Sequence, residues 1–198
     1  MNPIRTAAAV FAAVLLAACA STPPSRFYRL SAEAQAGQAR SAVSIAVGPV
    51  SVPAEIDRPQ LVLAVAPNRV EIDEFSRWAG PLREEIARTV AENLSRLLGT
   101  PAAWPHPRAA AEADVRVRID VLRFDLARGG TVALDATWTV SRTAGAATKS
   151  GRLSAQEPAG GEGVEALVAA QSRLLARLSR DIAADVGASD PARPRAAE

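Results

Sequence analysis

Few residues in this chain have side chains suited to covalent or acid–base chemistry, and the most distinctive is Cys19, the single cysteine. A lone cysteine cannot form an internal disulfide, so its thiol is available for another covalent modification. Cys19 follows Ala17 and Ala18, directly after an apolar run of ten residues, 7–16. That length suits the apolar core of a secretory signal peptide and is too short to span a bilayer, which takes roughly 20 residues.

The segment Leu16-Ala17-Ala18-Cys19 resembles the bacterial lipobox, in which the cysteine thiol receives a diacylglyceryl group. Cleavage then falls before the cysteine, and its new amine is usually acylated too. We therefore expect residues 1–18 to be a lipoprotein signal peptide and Cys19 to be the lipidation site. Buried methylenes contribute about 0.8 kcal/mol each, so two or three acyl chains anchor a protein stably. The alternative is an ordinary signal peptide with an incidental cysteine.

The residues after the cysteine indicate which membrane carries the anchor. Ala20 and Ser21 follow Cys19, and neither is an aspartate. In Gram-negative lipoproteins an aspartate there commonly signals retention at the inner membrane. Its absence predicts the outer membrane, with the protein on the periplasmic face.

Acid–base catalysis has few candidate residues. His106 is the only histidine and lies between two prolines, which is typical of a solvated loop residue rather than a positioned general base. The carboxylates Asp57, Asp73 and Glu74 could form a pair, but turn and loop carboxylates are usually just solvated. There is no Gly-x-Ser-x-Gly motif, no Cys/His metal spacing and no glycine-rich phosphate loop. We predict no catalytic residue, metal or cofactor; an enzyme using His106 or a carboxylate pair is the weaker hypothesis.

Composition bounds the size and the partners of the mature protein. Removing residues 1–18 from 198 leaves 180, enough for one domain with tails and a core that needs no disulfide. The basic and acidic residues, 23 and 21 in the whole chain, nearly cancel. This balance gives no strong field for nucleic acid, which we exclude as a partner.

Two helices are predicted from apolar residues that recur at three- and four-residue spacing. The first is Pro81–Leu98, with Pro81 at the first helical position and Gly99 just beyond its end. The second is Val164–Val186, ended by Gly187. Both have one apolar stripe and a polar opposite side.

Strands are predicted where apolar residues alternate or run continuously between turn residues. The predicted strands are Phe27–Leu30, Ala42–Val47, Leu61–Ala66, Arg69–Asp73, Asp114–Phe124, Thr131–Val140 and Thr148–Gln156. The alternation slips at Leu122, which predicts a β-bulge near Val121–Leu122. Residues 31–40, 74–80 and 100–113 are predicted as loops.

Hairpin turns between these strands favour antiparallel pairing. The predicted fold class is α+β: a mostly antiparallel sheet with the two long amphipathic helices packed on one face. The predicted organisation is a signal peptide (1–18), a proline-bearing tether (19–26), a single domain (27–187) and a disordered tail (188–198).

Several segments, taken in order, resemble the ABC-transport auxiliary lipoproteins of the PqiC family. They are the lipobox with Pro-Pro-Ser-Arg-Phe-Tyr-Arg-Leu at 23–30, Ile-Ala-Val-Gly-Pro-Val at 45–50, Val-Pro-Ala-Glu-Ile-Asp-Arg-Pro-Gln-Leu-Val at 52–62 and Arg-Trp-Ala-Gly-Pro-Leu at 77–82. The resemblance spans about residues 19–186. Gly80 departs from the pattern, where the family often has a polar or acidic residue.

The resemblance implies a non-catalytic docking subunit of an intermembrane lipid-transport system. Its implied partners are a periplasm-spanning protein with mammalian-cell-entry (MCE) domains and an inner-membrane permease, and its implied assembly is a homo-oligomeric ring. Arg58, Arg77 and Trp78 lie in the most recognisable motifs. Their functional interpretation is a partner-binding surface; the alternative is loop packing. A free-standing periplasmic carrier of lipid or another ligand is the alternative function.

Overall fold

The structure, a computed structural model, describes residues 23–37, 40–106, 112–143, 145 and 148–188. The predicted signal peptide, Cys19 with the first part of the tether, and residues 189–198 of the predicted tail lie outside the described residues. The described chain forms one mixed sheet and two helices. The strands are β1 Arg26–Tyr28, β2 Ile45–Ser51, β3 Gln60–Ala66, β4 Arg69–Trp78, β5 Ala103–Pro105, β6 Val115–Ala127, β7 Thr131–Arg142 and β8 Lys149–Pro158; the helices are α1 Leu82–Leu98 and α2 Gly163–Ala188.

Helix α1 forms where the apolar spacing predicts it. Pro81 is its N-cap residue, so the helix begins at Leu82, one residue later than predicted, and Gly99 follows its last residue with a φ of 61°. Only glycine adopts such a left-handed conformation readily, so Gly99 terminates the helix. The apolar stripe faces inward, and Ile86, Val90 and Leu94 are completely buried.

Helix α2 is longer than predicted. It continues through Gly187 to Ala188, so the expectation that Gly187 ends it is wrong. A glycine inside a helix costs only about 1 kcal/mol, a cost that packing of the preceding turn can outweigh. Val186, next to Gly187, is buried, and its carbonyl accepts a hydrogen bond from the Arg142 guanidinium at 3.2 Å.

The sheet is mixed, which corrects the prediction of mostly antiparallel pairing. Four of its seven strand pairs are parallel and three are antiparallel. The antiparallel pairs β3–β4, β6–β7 and β7–β8 join strands that follow one another in the chain. The parallel pairs β1–β4, β2–β5, β2–β6 and β3–β6 join segments connected by long crossovers, and no local turn signal reports them.

Strand β6 is the centre of the sheet, and one of its edges is shared by two strands. Its first half pairs with β2, and its last residues, Leu126 and Ala127, pair with β3. Its other edge pairs with β7 along nearly its full length. The sheet therefore forks, and we call the branch formed by β3, β4 and β1 the amino-terminal arm.

The predicted bulge in β6 is confirmed by a register shift between Val121 and Arg123. The extra residue, Leu122, is 53% exposed. Phe124 and Leu126 return to the inner face beyond it, so the alternating pattern remains buried along the whole strand.

Strand β4 extends through most of the predicted 74–80 loop, so that prediction is wrong. Leu61 is paired with Asp73 but Gln60 with Arg77, which leaves a bulge in β4 between them. The Asp73 carboxylate accepts the backbone N–H groups of Phe75 and Ser76, each at 3.0 Å. This side-chain cap lets the strand resume after the bulge. The short strand β5 likewise lies within the predicted 100–113 loop.

Both helices cover the same face of the sheet. Helix α1 packs on β2 and β5, α2 packs on β6, β7 and β8, and the helices contact each other. The opposite face is solvated, as the exposed Arg116 and Arg118 of β6 show. Neither of the two helices in the described residues covers the inner face of the amino-terminal arm to the same extent.

Residues 29–37, which we call the strap, cross the helices after β1. The backbone N–H of Ser31 donates to Ser172 Oγ in α2 at 3.1 Å, and that of Ala34 donates to Asn93 Oδ1 in α1 at 2.9 Å. Leu30 is completely buried. Residues 31–37 of the predicted 31–40 loop are thus irregular but attached to both helices by hydrogen bonds.

Candidate functional site

Three of the four segments quoted for the family resemblance meet at the end of β4. The Trp78 backbone N–H donates to the carbonyl of Pro59 at 2.7 Å, and the Ala79 N–H donates to the carbonyl of Tyr28 at 2.8 Å. Segments 23–30, 52–62 and 77–82, distant in the chain, are therefore held together by backbone hydrogen bonds. Their junction is the first candidate site.

Arg58 and Arg77 lie close to one another at this junction. Arg58 is exposed in the turn that precedes β3, and Gln60, at the start of β3, is the register partner of Arg77. Arg77 is half-buried, and its Nε donates to the Glu74 carbonyl at 3.3 Å. We call Arg58 and Arg77 the arginine edge. It presents two guanidinium groups where a partner can reach them.

Trp78 faces the interior instead. Its side chain is only 5% exposed and belongs to the main hydrophobic core. Its ring packs edge-to-face on Phe124, with ring centroids 6.2 Å apart and planes at 66°. This position favours the packing interpretation of Trp78, because a partner would find little of the indole to contact.

A cleft of about 540 Å³ lies between β2 and the start of α1. Its apolar part comes from residues such as Val47, Pro49 and Pro81, and its charged part from the first two turns of α1. Two segments of the resemblance, 45–50 and 77–82, contribute to it. The cleft is the second candidate site.

Ion pairs hold the charged residues around this cleft. Arg83 of α1 contacts the Asp57 carboxylate at 3.1 Å, and so links the cleft to the turn that carries Arg58. Arg88 contacts Glu85 at 2.8 Å and also donates to the Leu30 carbonyl at 2.7 Å. No local sequence pattern indicates the Arg83–Asp57 pair, because its members belong to different elements.

His106 lines the cleft but is not arranged as a catalytic base. Its backbone N–H donates to the Val47 carbonyl at 2.7 Å, while its side chain is exposed. Within the described part of the chain, no side chain hydrogen-bonds its imidazole. A catalytic histidine is usually oriented by a third group. Gly48 leaves space for the His106 side chain, because a Cβ on Gly48 would lie 2.8 Å from the Cβ of His106.

Asp114, the residue immediately before β6, has a carboxyl group with a shifted pKa. The Ser44 hydroxyl donates to Asp114 Oδ2 at 2.7 Å, and the Ser44 backbone N–H donates to the same oxygen at 2.9 Å. These hydrogen bonds stabilise the ionised form, so they lower the pKa of Asp114 below its ordinary value of 3.8. The arrangement joins β2 to β6 and resembles a structural cap rather than a reactive group.

The described residues contain neither a cluster of metal ligands nor a helix that could span a membrane. Across residues 23–37, 40–106, 112–143, 145 and 148–188, no three His, Cys, Asp or Glu side chains gather as a metal site would require. Within the same ranges, neither helix combines the length and apolarity needed to cross a bilayer.

A family model described as "ABC-type transport auxiliary lipoprotein component" matches residues 28–183. The chain belongs to this family. The match covers all the strands after β1 and most of α2, so the resemblance carried by the four segments is confirmed. The family description makes this PqiC-like lipoprotein a membrane-anchored auxiliary component of a transport system. No curated protein matches the chain.

Solved structures share the fold of this auxiliary lipoprotein. One, an uncharacterized protein, is 18% identical with a TM-score of 0.67, covering 83% of this chain and 99% of its own. Another, a Xanthomonas campestris protein of the DUF330 family, is 16% identical with a TM-score of 0.66, covering 82% and 94%. At these identities the likeness concerns the fold alone.

Proposed function

We propose that this lipoprotein is a non-catalytic docking subunit of an MCE-type intermembrane lipid-transport system. In this proposal its partners are an MCE-domain protein that spans the periplasm and an inner-membrane permease, and it assembles as a homo-oligomeric ring. Cys19 anchors it to the periplasmic face of the outer membrane. The observation that carries the proposal is the junction of segments 23–30, 52–62 and 77–82, which displays the arginine edge.

The arginine edge is suited to recognition rather than to chemistry. Arginine is enriched among residues that dominate binding energy at protein interfaces, and its planar guanidinium binds carboxylates in two-point contacts. Neither Arg58 nor Arg77 forms an ion pair with another described residue. Both are therefore available to an acidic surface on a partner.

The test is a pull-down from cells with the full-length protein, followed by mass spectrometry. We expect recovery of an MCE-domain protein, and about tenfold less of it with Arg58→Ala/Arg77→Ala, which corresponds to roughly 1.4 kcal/mol. The matched control is Arg128→Ala/Arg152→Ala, which removes two exposed arginines elsewhere on the sheet. Trp78→Ala is unsuitable because that side chain is part of the core.

Recovery of no MCE-domain protein, with the bait folded and the partner expressed, would contradict the docking proposal. Equal loss in both double variants would indicate a nonspecific charge effect instead. His106→Ala should leave the transport phenotype unchanged, because a docking subunit has no use for a general base; a loss would favour an enzyme.

The anchor has its own test. Cys19→Ala should leave the protein soluble in the periplasm or retained as its precursor, because no acyl chain can be attached. The measurement is fractionation of the envelope. If the variant still sediments with outer membrane after a high-salt wash, Cys19 is not the anchor.

A free-standing lipid or ligand carrier is the second candidate, and the cleft beside α1 is the observation that favours it. Its volume of about 540 Å³ lies within the 300–1,000 Å³ usual for small-molecule sites. Native mass spectrometry of the purified protein distinguishes the two functions. A carrier should retain co-purifying lipid, and a docking subunit should not.

A further inference from the structure

Among the residues that the structure describes, Phe27 in β1 is the most exposed large apolar side chain, at 67%. Its neighbour Tyr28 is in register with the buried Trp78, and Phe27 is in register with Arg77. Successive side chains of a strand point to opposite faces, so Phe27 is directed away from the core. Phe75, 40% exposed, immediately precedes Ser76, the register partner of Arg26. Two aromatic rings are therefore presented to solvent at the edge where the domain begins.

Arg26, at the start of β1 on the face opposite Phe27, and Arg29, just after the end of β1, are the arginines nearest to Phe27 in the chain. Arg26 and Arg29 are exposed, and neither forms an ion pair with any described residue. Seven other arginines do form such pairs: Arg83, Arg88, Arg96, Arg123, Arg128, Arg152 and Arg173. We call Arg26, Phe27, Arg29 and Phe75 the amino-terminal patch. Aromatic rings at the level of lipid headgroups and arginines near anionic phosphates are typical of protein surfaces that contact a bilayer.

The length of the tether places this patch near a membrane. Only residues 20–25 separate Cys19 from Arg26. Seven residue steps of fully extended chain span at most about 25 Å. If Cys19 carries acyl chains buried in the bilayer, β1 therefore begins within that distance of the membrane surface, whatever path the tether takes.

We propose that the amino-terminal patch contacts the surface of the bilayer, with Phe27 and Phe75 in the headgroup layer and Arg26 and Arg29 beside lipid phosphates. This inference rests on the proposed Cys19 anchor. It orients the domain, because β1 and β5 lie at opposite ends of the main strand order and β5 then faces away from the membrane. Since Arg77 adjoins Phe27, a partner bound at the arginine edge lies next to the lipid surface.

The chain offers a direct experiment because Cys19 is its only cysteine. Once the Cys19 thiol is acylated, Phe27→Cys provides a single thiol for an environment-sensitive nitrobenzoxadiazole label. The labelled full-length lipoprotein is reconstituted into vesicles of phosphatidylethanolamine and phosphatidylglycerol at 3:1, with and without a headgroup-region spin-labelled lipid. The matched control is Trp104→Cys, which replaces an aromatic residue, 38% exposed, in β5.

We expect the label at position 27 to shift its emission to the blue and to be quenched by the spin-labelled lipid at least twofold more than the label at 104. Equal quenching at the two positions overturns the proposal. A blue shift without lipid quenching also overturns it, because it indicates a protein contact such as another copy of the chain.

Flotation of the same vesicles separates this inference from the anchor on which it rests. A chain that floats with the vesicles but shows no quenching at position 27 overturns the patch alone. A chain that does not float, and whose Cys19 reacts with the label, overturns the Cys19 anchor and the patch with it.

Discussion

The helix-covered half of the sheet and the amino-terminal arm bury their inner faces in different ways. Strands β6, β7 and β8 alternate regularly and are covered by α2, so every inward residue from Val115 to Val121 is buried. The arm lacks such a helix, and Trp78 fills its inner side against Phe124. Its outer side leaves Val70 and Ile72 at 58% and 37% exposure. The helix-covered half thus buries its inner face under α2, while the arm buries Trp78 together with Leu61 and Leu63 of β3.

The largest effect should come from Trp78→Ala, which removes the largest buried side chain on the inner side of the arm. Truncation of a buried aromatic residue typically costs about 3–5 kcal/mol of unfolding free energy. Hydrogen exchange should accelerate in β3 and β4 well before it does in β6, β7 and β8. Uniform acceleration over the whole sheet would show that the arm is not an independently supported unit.

A pair of aliphatic truncations compares the helix layer with the outer side of the arm. Leu94→Ala in α1 removes a completely buried side chain and should cost about 2–5 kcal/mol. Ile72→Ala in β4 removes a partly exposed one and should cost less than about 1 kcal/mol. Urea unfolding measures both variants. A loss below about 0.5 kcal/mol for Leu94→Ala would place the α1 stripe outside the core.

A smaller loss of unfolding free energy is expected from overpacking in the helix-covered half of the sheet. A Cβ on Gly151 of β8 would overlap the indole ring of its register partner Trp138, whose Nε1 donates to Asp185 at 2.9 Å. Gly151→Ala should therefore displace the ring and cost about 1–3 kcal/mol. The control is Ser154→Ala, an exposed position of the same strand. Near-ultraviolet circular dichroism reports the ring, and an unchanged spectrum in Gly151→Ala would contradict the prediction.

The smallest effect depends on pH and concerns the join between β2 and β6. Because the pKa of Asp114 is lowered in the folded state, its ionised form adds stability above the unfolded-state value near 3.8. That contribution is lost as the pH falls through the lower, folded-state pKa. The difference in unfolding free energy between the native chain and Asp114→Asn should thus be largest near pH 6 and shrink below about pH 4. A difference that grows on acidification would contradict the assignment.

Local sequence patterns predicted the helix-covered half of the sheet well. The β6 bulge at Leu122, the inward residues of β7 and the stripe of α1 all follow from spacing, because one face of each element is buried along its whole length. The mixed character of the sheet could not be predicted in this way. Parallel pairing of β2 with β6 joins Ile45 to Val115 across a helix, and nothing in either strand encodes that distance.

The candidate site was only partly predictable. The motif segments suggested Arg58, Arg77 and Trp78 together, but their residue types did not reveal that Trp78 faces the core. The continuation of β4 through Phe75 depends on the Asp73 side chain, which holds the bulge and looked like an ordinary loop carboxylate. The sequence predicts that Phe27 lies in a strand, but only the register of β1 with β4 shows that its side chain points to solvent.

The strap can form its hydrogen bonds to the helices only late in folding. Ser31 hydrogen-bonds Ser172, which follows it by 141 residues, and Ala34 hydrogen-bonds Asn93, 59 residues later. Contacts of such long sequence separation form slowly, because a large loop must close first. In a chain that emerges amino terminus first, the strap has no complete binding surface until α2 has appeared. The strap therefore docks only as folding ends, once both helices are in place to accept its hydrogen bonds.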